Sequence, residues 1–184
     1  MPRINTRFLL AAALSGALVS APALAALAVG AAAPDFSADA AVGGQPFKFN
    51  LAGTLKQGPV VLYFYPKAFT SGCTVEAHNF AEATDKFKAM GATVIGISND
   101  DIDTLKKFSV EACRNKFAVA ADAGAKVMKD YDAALLKYPG VADRISYLIT
   151  PEGKVGAVFA SLNPDGHVEA MLKAVEQWKA GAKR

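Results

Sequence analysis

Cysteine is nearly absent: the 184 residues contain two, Cys73 and Cys113. Two thiols cannot build a zinc site or a disulfide-dense mini-fold, but they can make one redox pair. No C-x-x-C is present, so the sequence lacks the dithiol signature of a thiol–disulfide oxidoreductase. Histidine is equally scarce. His78 and His167 lie far apart with no metal-ligand spacing, and both read as surface or helix histidines. There is no G-x-G-x-x-G fingerprint, phosphate-binding loop or haem C-x-x-C-H. No metal, haem or flavin is expected. Charged residues make up 20%, the net charge is +3, and Lys and Arg form no run. That balance argues against a nucleic-acid partner.

Apolar material, by contrast, is plentiful. The hydrophobic set reaches 52%, with 11 Phe, 5 Tyr and 1 Trp, which excludes a disordered or low-complexity chain. Residues 1–25 carry Arg3, Arg7 and no acid, then an apolar run from Phe8 to Ser20, then Ala21-Pro22-Ala23-Leu24-Ala25. This is the charged, apolar and A-x-A order of a cleaved secretory signal peptide. The run of 13 residues is short of the roughly 20 needed to span a bilayer. Residues 26–184 are then one exported domain with no membrane attachment after signal removal. Export places it in an oxidising compartment, with the periplasm as the expected location. Removal of the signal lowers Lys+Arg from 20 to 18 against 17 acidic residues, so the basic tilt belongs mainly to the leader.

Along the remaining chain, Val29 to Gln57 reads as loops with short strands near Phe36 and Phe47–Phe49, and Gly43-Gly44 as a turn. Val60 to Tyr65 is a buried strand ended by Pro66. Thr70-Ser71-Gly72 offers N-cap chemistry for a helix from about Cys73 to Met90, stopped by Gly91. Ala77, Phe80, Thr84 and Phe87 share one face of it. A second buried strand covers Ala92–Ser98. Asp100 and Asp101 cap a helix with Ile102, Leu105, Phe108 and Ala112 facing inward. A short strand at Phe117–Ala120 and a short helix from Ala125 to Tyr131 follow. Ile145–Ile149 and Val155–Phe159 read as a hairpin, and Asp165 to Lys179 as a last helix with Val168, Met171, Val175 and Trp178 as its apolar stripe. The alternation predicts an α/β sandwich with a mixed sheet.

Cys73 carries the chemistry. It falls in the first turn of a predicted helix, where the dipole and the free N–H groups favour a thiolate over a thiol. The bland alternative is a buried, inert cysteine. The stretch Pro66-Lys67-Ala68-Phe69-Thr70-Ser71-Gly72-Cys73 resembles the P-x-x-x-S/T-x-x-C motif of peroxiredoxins of the AhpC/TSA superfamily. Flanking Val61–Tyr65 and Thr74-Val75-Glu76-Ala77 look similar, as does Val29–Phe36 at the start of the domain. Asp143-Arg144-Ile145 resembles the start of the strand that presents the family's arginine. The details are most similar to the bacterioferritin-comigratory, or Q-type, subgroup.

The resemblance implies a thioredoxin-like three-layer sandwich and a thiol-dependent peroxidase acting on hydrogen peroxide and organic hydroperoxides. It implies that Cys73 attacks the peroxide, that Arg144 is a fixed cation beside it, and that the Thr70 hydroxyl bridges sulfur and peroxide. Pro66 would shield the site, and the Gly72 and Cys73 N–H groups would receive a peroxide oxygen. Each residue has a plainer reading: Arg144 as a surface arginine, Thr70 as a cap, Pro66 as a strand terminator. Glu76 either orients the site or merely complements the helix dipole.

Many Q-type members carry a resolving cysteine five residues after the reactive one, and here that position is His78. Cys113, 40 residues on near the end of the next helix, is the remaining candidate to close an intramolecular disulfide with Cys73. It reads alternatively as a half-buried helical thiol, or as half of a permanent structural staple. The electrons would come from a thioredoxin-like or glutaredoxin-like dithiol protein, and the assembly would be a monomer or homodimer. Two other functions stay open: an exported thiol–disulfide oxidoreductase on the same fold, and a non-catalytic binding module with a structural disulfide. Finally, Ser71 stands where the subgroup often has Pro, and Ala68-Phe69 replaces a more polar pair. Phe69 would make the mouth of the site apolar and favour organic hydroperoxides.

Overall fold

A computed structural model describes residues 26–182. The predicted signal segment lies outside the described residues. The chain runs β1 (Ser37–Val42), β2 (Gln45–Asn50), α1 (Leu51–Leu55), β3 (Val60–Phe64), α2 (Ser71–Ala89), β4 (Thr93–Ser98) and α3 (Ile102–Glu111). It continues through β5 (Ala118–Ala121), α4 (Lys126–Asp130), β6 (Ala134–Leu135), β7 (Tyr138–Ala142), β8 (Ile145–Ile149), β9 (Val155–Ala160) and α5 (His167–Gly181).

Seven strands form one sheet in the order β2-β1-β5-β4-β3-β8-β9. β3, β4 and β5 are parallel, and β1, β2, β8 and β9 join antiparallel, so the sheet is mixed as the alternation of elements predicted. β3 sits near the middle because all five of its side chains are apolar and buried. Its residues alternate between faces with period two. Val61 and Tyr63 meet α2, α3 and α5 through Phe80, Leu105, Phe108, Met171 and Val175. Val60, Leu62 and Phe64 meet α1 and α4 through Leu51, Leu55, Val127 and Met128. Each such side chain contributes about 1.5–3 kcal/mol by leaving water. Helices on both faces of the sheet make three layers.

The sequence pattern locates β8 to the residue and most other large elements to within two. Gly43 and Gly44, both at positive φ, make the β1–β2 turn. Gly91, at φ +84°, ends α2 while Ala92 N–H donates back to Phe87 O. Met171 is buried as expected, and Trp178 packs half-buried against the same core. Three short elements carried no sequence signal. Helix α1 has five residues and depends on Asn50, whose Oδ1 accepts from Gly53 N–H at 2.6 Å. The β6–β7 pair is short and mostly exposed, so it lacks the alternation that marks a strand. Among the described residues, no helix is long and apolar enough to cross a membrane.

Candidate active site

The site forms where β3 hands the chain to α2. Pro66 follows the strand, half-buried, and has no N–H to extend the ladder. The loop behind it is tied down at two points. Ala68 N–H donates to Asp100 Oδ2 at 2.7 Å, and that oxygen also receives the Ser98 hydroxyl at 2.8 Å. The Thr70 hydroxyl donates to Lys67 O at 2.9 Å. Between them Phe69 adopts a left-handed backbone (φ +64°), costly for a residue with a side chain, and lays its ring edge-on against Phe108 at 5.2 Å.

Helix α2 starts at Ser71, two residues earlier than the sequence suggested, with extended Thr70 as its N-cap. Thr70 makes no side-chain cap bond; its hydroxyl donates instead to Lys67 O. Thr70 is exposed. The first helical backbone bond runs from Thr74 N–H to Thr70 O, so the Gly72 and Cys73 N–H groups have no partner inside the helix. Cys73 is therefore the third helical residue, at the positive end of a 19-residue helix, with 1% of its surface exposed.

Arg144 reaches the sulfur from the residue before β8. Its Nη2 donates to Cys73 Sγ at 3.5 Å, Nη1 donates to Glu76 Oε2, and Nε donates to Leu162 O at 3.0 Å. With 5% exposure it is not the surface arginine that the plainer reading allowed. Gly72 lets the guanidinium approach, since a Cβ there would sit 3.1 Å from Nη2. Burial alone would depress Arg144, but the neighbouring Glu76 and Cys73 outweigh it and hold the guanidinium above its ordinary value.

Glu76 is fully buried, one turn after Cys73 on the same face of α2. Burial pushes its carboxyl up to about 7 against the downward pull of Arg144. Its second oxygen, Oε1, has no hydrogen-bond partner among the described residues and lies 3.5 Å from His167 Nδ1. Of the two readings of His167, the helix one holds, since it opens α5, and the surface one does not: the ring is fully buried and bonds Ser146 and the Ser161 carbonyl. The i, i+3 spacing of Cys73 and Glu76 was a signal available in the sequence. Nothing local marked His167 or Ser146.

Cys113 lies just past the α3 C-cap residue Ala112, fully buried, with its N–H on Phe108 O. Burial pushes its thiol well above the ordinary value. It is not half-buried, as one reading held. Both cysteines are free thiols in the same apolar cluster, together with Tyr63, Tyr65 and Phe108.

A buried thiol at a helix N-terminus, faced by a fixed guanidinium, thus sits on a mixed sheet covered by helices on both sides, the architecture of a thioredoxin-like fold. The sequence pattern of the AhpC/TSA family matches residues 29–158. The chain belongs to that family. It is 34% identical over 122 residues to the chloroplastic peroxiredoxin Q of Populus jackii, covering 66% of this chain and 57% of that protein. It is 32% identical over 148 residues to the chloroplastic peroxiredoxin Q of Oryza sativa subsp. japonica, covering 80% and 66%. The chain thus spans little more than half the length of the first of these curated relatives. Among solved structures it resembles peroxidoxin BcpB from Mycobacterium tuberculosis, with TM-score 0.70, 31% identity, and coverage of 81% and 96%. The reduced 2-Cys peroxiredoxin of Plasmodium vivax gives TM-score 0.75, 26% identity, and coverage of 85% and 99%.

Proposed function

We propose that the protein is a thiol-dependent peroxidase that reduces hydrogen peroxide and organic hydroperoxides through Cys73. The observation that carries this reading is the Arg144 guanidinium donating to the sulfur at a helix N-terminus. The Cys73 thiolate attacks one peroxide oxygen. An S–O bond forms, the O–O bond breaks, and the departing alkoxide takes a proton to leave as alcohol or water. Arg144 and the unpaired Gly72 and Cys73 N–H groups face the negative charge that develops on oxygen. Thr70 sits at the mouth with lone pairs free to accept from the peroxide, and Pro66 walls the approach.

The sulfenic acid is then resolved by Cys113: S–S forms and water leaves. Because both sulfurs are buried and Cys113 lies past the end of α3, this step requires local opening of the first turn of α2 or the α3 terminus. A thioredoxin-like or glutaredoxin-like dithiol returns the two electrons. Wild type treated with peroxide is expected to lose two thiols and two hydrogens by intact mass. Cys113→Ser is expected to gain oxygen instead and to form no intramolecular disulfide. Unchanged disulfide yield in that variant would remove Cys113 from the cycle.

Phe69 is 46% exposed on the loop between Pro66 and Thr70, which supports an apolar mouth. Phe69→Ala is expected to slow reaction with a bulky organic hydroperoxide about fivefold relative to hydrogen peroxide, corresponding to ~1 kcal/mol of apolar contact. Equal effects on the two substrates in competition kinetics would assign Phe69 no role in selection. The order of charge, apolarity and small residues over 1–25 supports export to an oxidising compartment, and the mature domain of 26–184 acts there as a monomer or homodimer.

A further inference from the structure

The first residue of α5 is a histidine sealed inside the protein. His167 has no exposed surface, and the Phe159 ring packs edge-on against it at 4.8 Å. Its Nε2 is 2.9 Å from Ser161 O. A carbonyl only accepts, so Nε2 carries the hydrogen. In the neutral ring Nδ1 is then an acceptor, and it receives the Ser146 hydroxyl at 2.8 Å. The same Nδ1 lies 3.5 Å from Glu76 Oε1, the carboxylate oxygen with no donor among the described residues. A buried carboxylate oxygen with no donor is costly. One proton removes that cost: on Oε1 it points at the single Nδ1 lone pair, which the Ser146 hydroxyl then gives up, and on Nδ1 it lies between two acceptors, Oε1 and Ser146 Oγ.

We propose that His167 is a positioning residue for the reactive thiol: it shares one proton with Glu76 across the Oε1–Nδ1 gap, and that proton decides how much of the Arg144 charge is left for the sulfur and the peroxide. This inference rests on the peroxidatic reading of Cys73. With the proton present, the pair offers Arg144 no net additional negative charge, and the guanidinium acts undivided on the sulfur. Once it is lost, an anionic Glu76 divides that charge and adds a negative group beside the developing alkoxide.

The surroundings leave few other groups to titrate. Glu76 faces Arg144 from the start of β8, His167 from α5, Tyr63 from β3 and Cys73 from its own helix. His167 faces Glu76, Arg144 and Asp143, with Ser161 and Asn163 from the loop after β9. Arg144 stays charged, and burial keeps Tyr63 neutral. Burial places the Glu76 carboxyl near neutrality and depresses His167 below its ordinary value, and the 3.5 Å between Oε1 and Nδ1 lets one proton serve both.

The test combines two measurements. The first follows the imidazole nitrogens by NMR in the reduced protein without peroxide, where only His78 and His167 contribute. The expected result is a neutral His167 with hydrogen on Nε2 and a perturbation of Nδ1 near neutral pH that Glu76→Gln abolishes. The second is the pH profile of Cys73 oxidation by hydrogen peroxide. The rate is expected to fall as pH rises through the same midpoint. In His167→Gln an amide donor holds Glu76 ionised, and the falling limb is expected to move down by about one pH unit or more. An unshifted limb in His167→Gln, or a uniform loss of rate with the profile kept, would overturn the proposal. So would a His167 spectrum untouched by Glu76→Gln. The NMR result is independent of peroxide, so failure of the peroxidase reading shows separately, as wild type that forms no Cys73 oxidation product.

Discussion

Cys73→Ser reduces peroxide consumption to that of buffer: that is the largest expected effect. Peroxide reduction takes two electrons, and in the proposed reaction they come from one sulfur. A serine hydroxyl cannot supply them, and Cys113 is buried with its thiol held protonated by its apolar surroundings. The exchange replaces sulfur by oxygen at a position with 1% exposure, so the fold should persist. Circular dichroism and thermal melting check that, and a peroxide electrode reads the activity. Full consumption by folded Cys73→Ser would show that the electrons come from elsewhere.

Arg144→Met is the second large effect, and it acts on rate and stability for different reasons. Removing one preorganised donor to developing charge typically costs about 10²–10³ in rate, which stopped-flow oxidation of Cys73 would read. Stability falls because Glu76 keeps its burial and loses its cation, a change of about 3–5 kcal/mol when the carboxyl is forced to stay ionised. The carboxyl escapes part of this by taking a proton. In wild type its folded value is already raised, from 4.5 to about 7. The folded state therefore binds a proton that the unfolded state releases, and the associated stability is fully present below about 4.5 and lost as pH rises through about 7. Without Arg144 the folded value rises further, so the deficit of Arg144→Met should widen from mildly acidic to alkaline pH. Adding Glu76→Gln should restore the melting temperature and flatten its pH dependence while leaving the rate low. Recovery of both together would mean that Arg144 serves only the fold.

The layers of this protein were legible because their signals are local. Val60–Phe64 and Ile145–Ile149 are uninterrupted apolar runs, and Ala77, Phe80, Thr84 and Phe87 repeat at helical spacing. The position of Cys73 after Thr70-Ser71-Gly72 marked the thiol for the same reason. The site's electrostatics were not legible in that way. Arg144 reads as a surface residue until Glu76, 68 positions earlier, is placed against it. His167 reads as an ordinary helix histidine because its partner Ser146 lies 21 positions away and Glu76 farther still. Helix α1 and the β6–β7 pair escaped notice because five residues with one side-chain cap, or a short exposed hairpin, leave no period to count.

Those separations also bear on when the thiol becomes dangerous. The local motif is complete once residues 66–73 have emerged, but the cation that activates it comes from β8, and the buried histidine comes from α5, near the C-terminus. The contacts that assemble the site are therefore among the most non-local in the chain, and such contacts close late. A partly made chain carries the motif without the Arg144 guanidinium beside Cys73. On the peroxidatic reading proposed above, the reactivity of Cys73 is conferred only when the fold is complete.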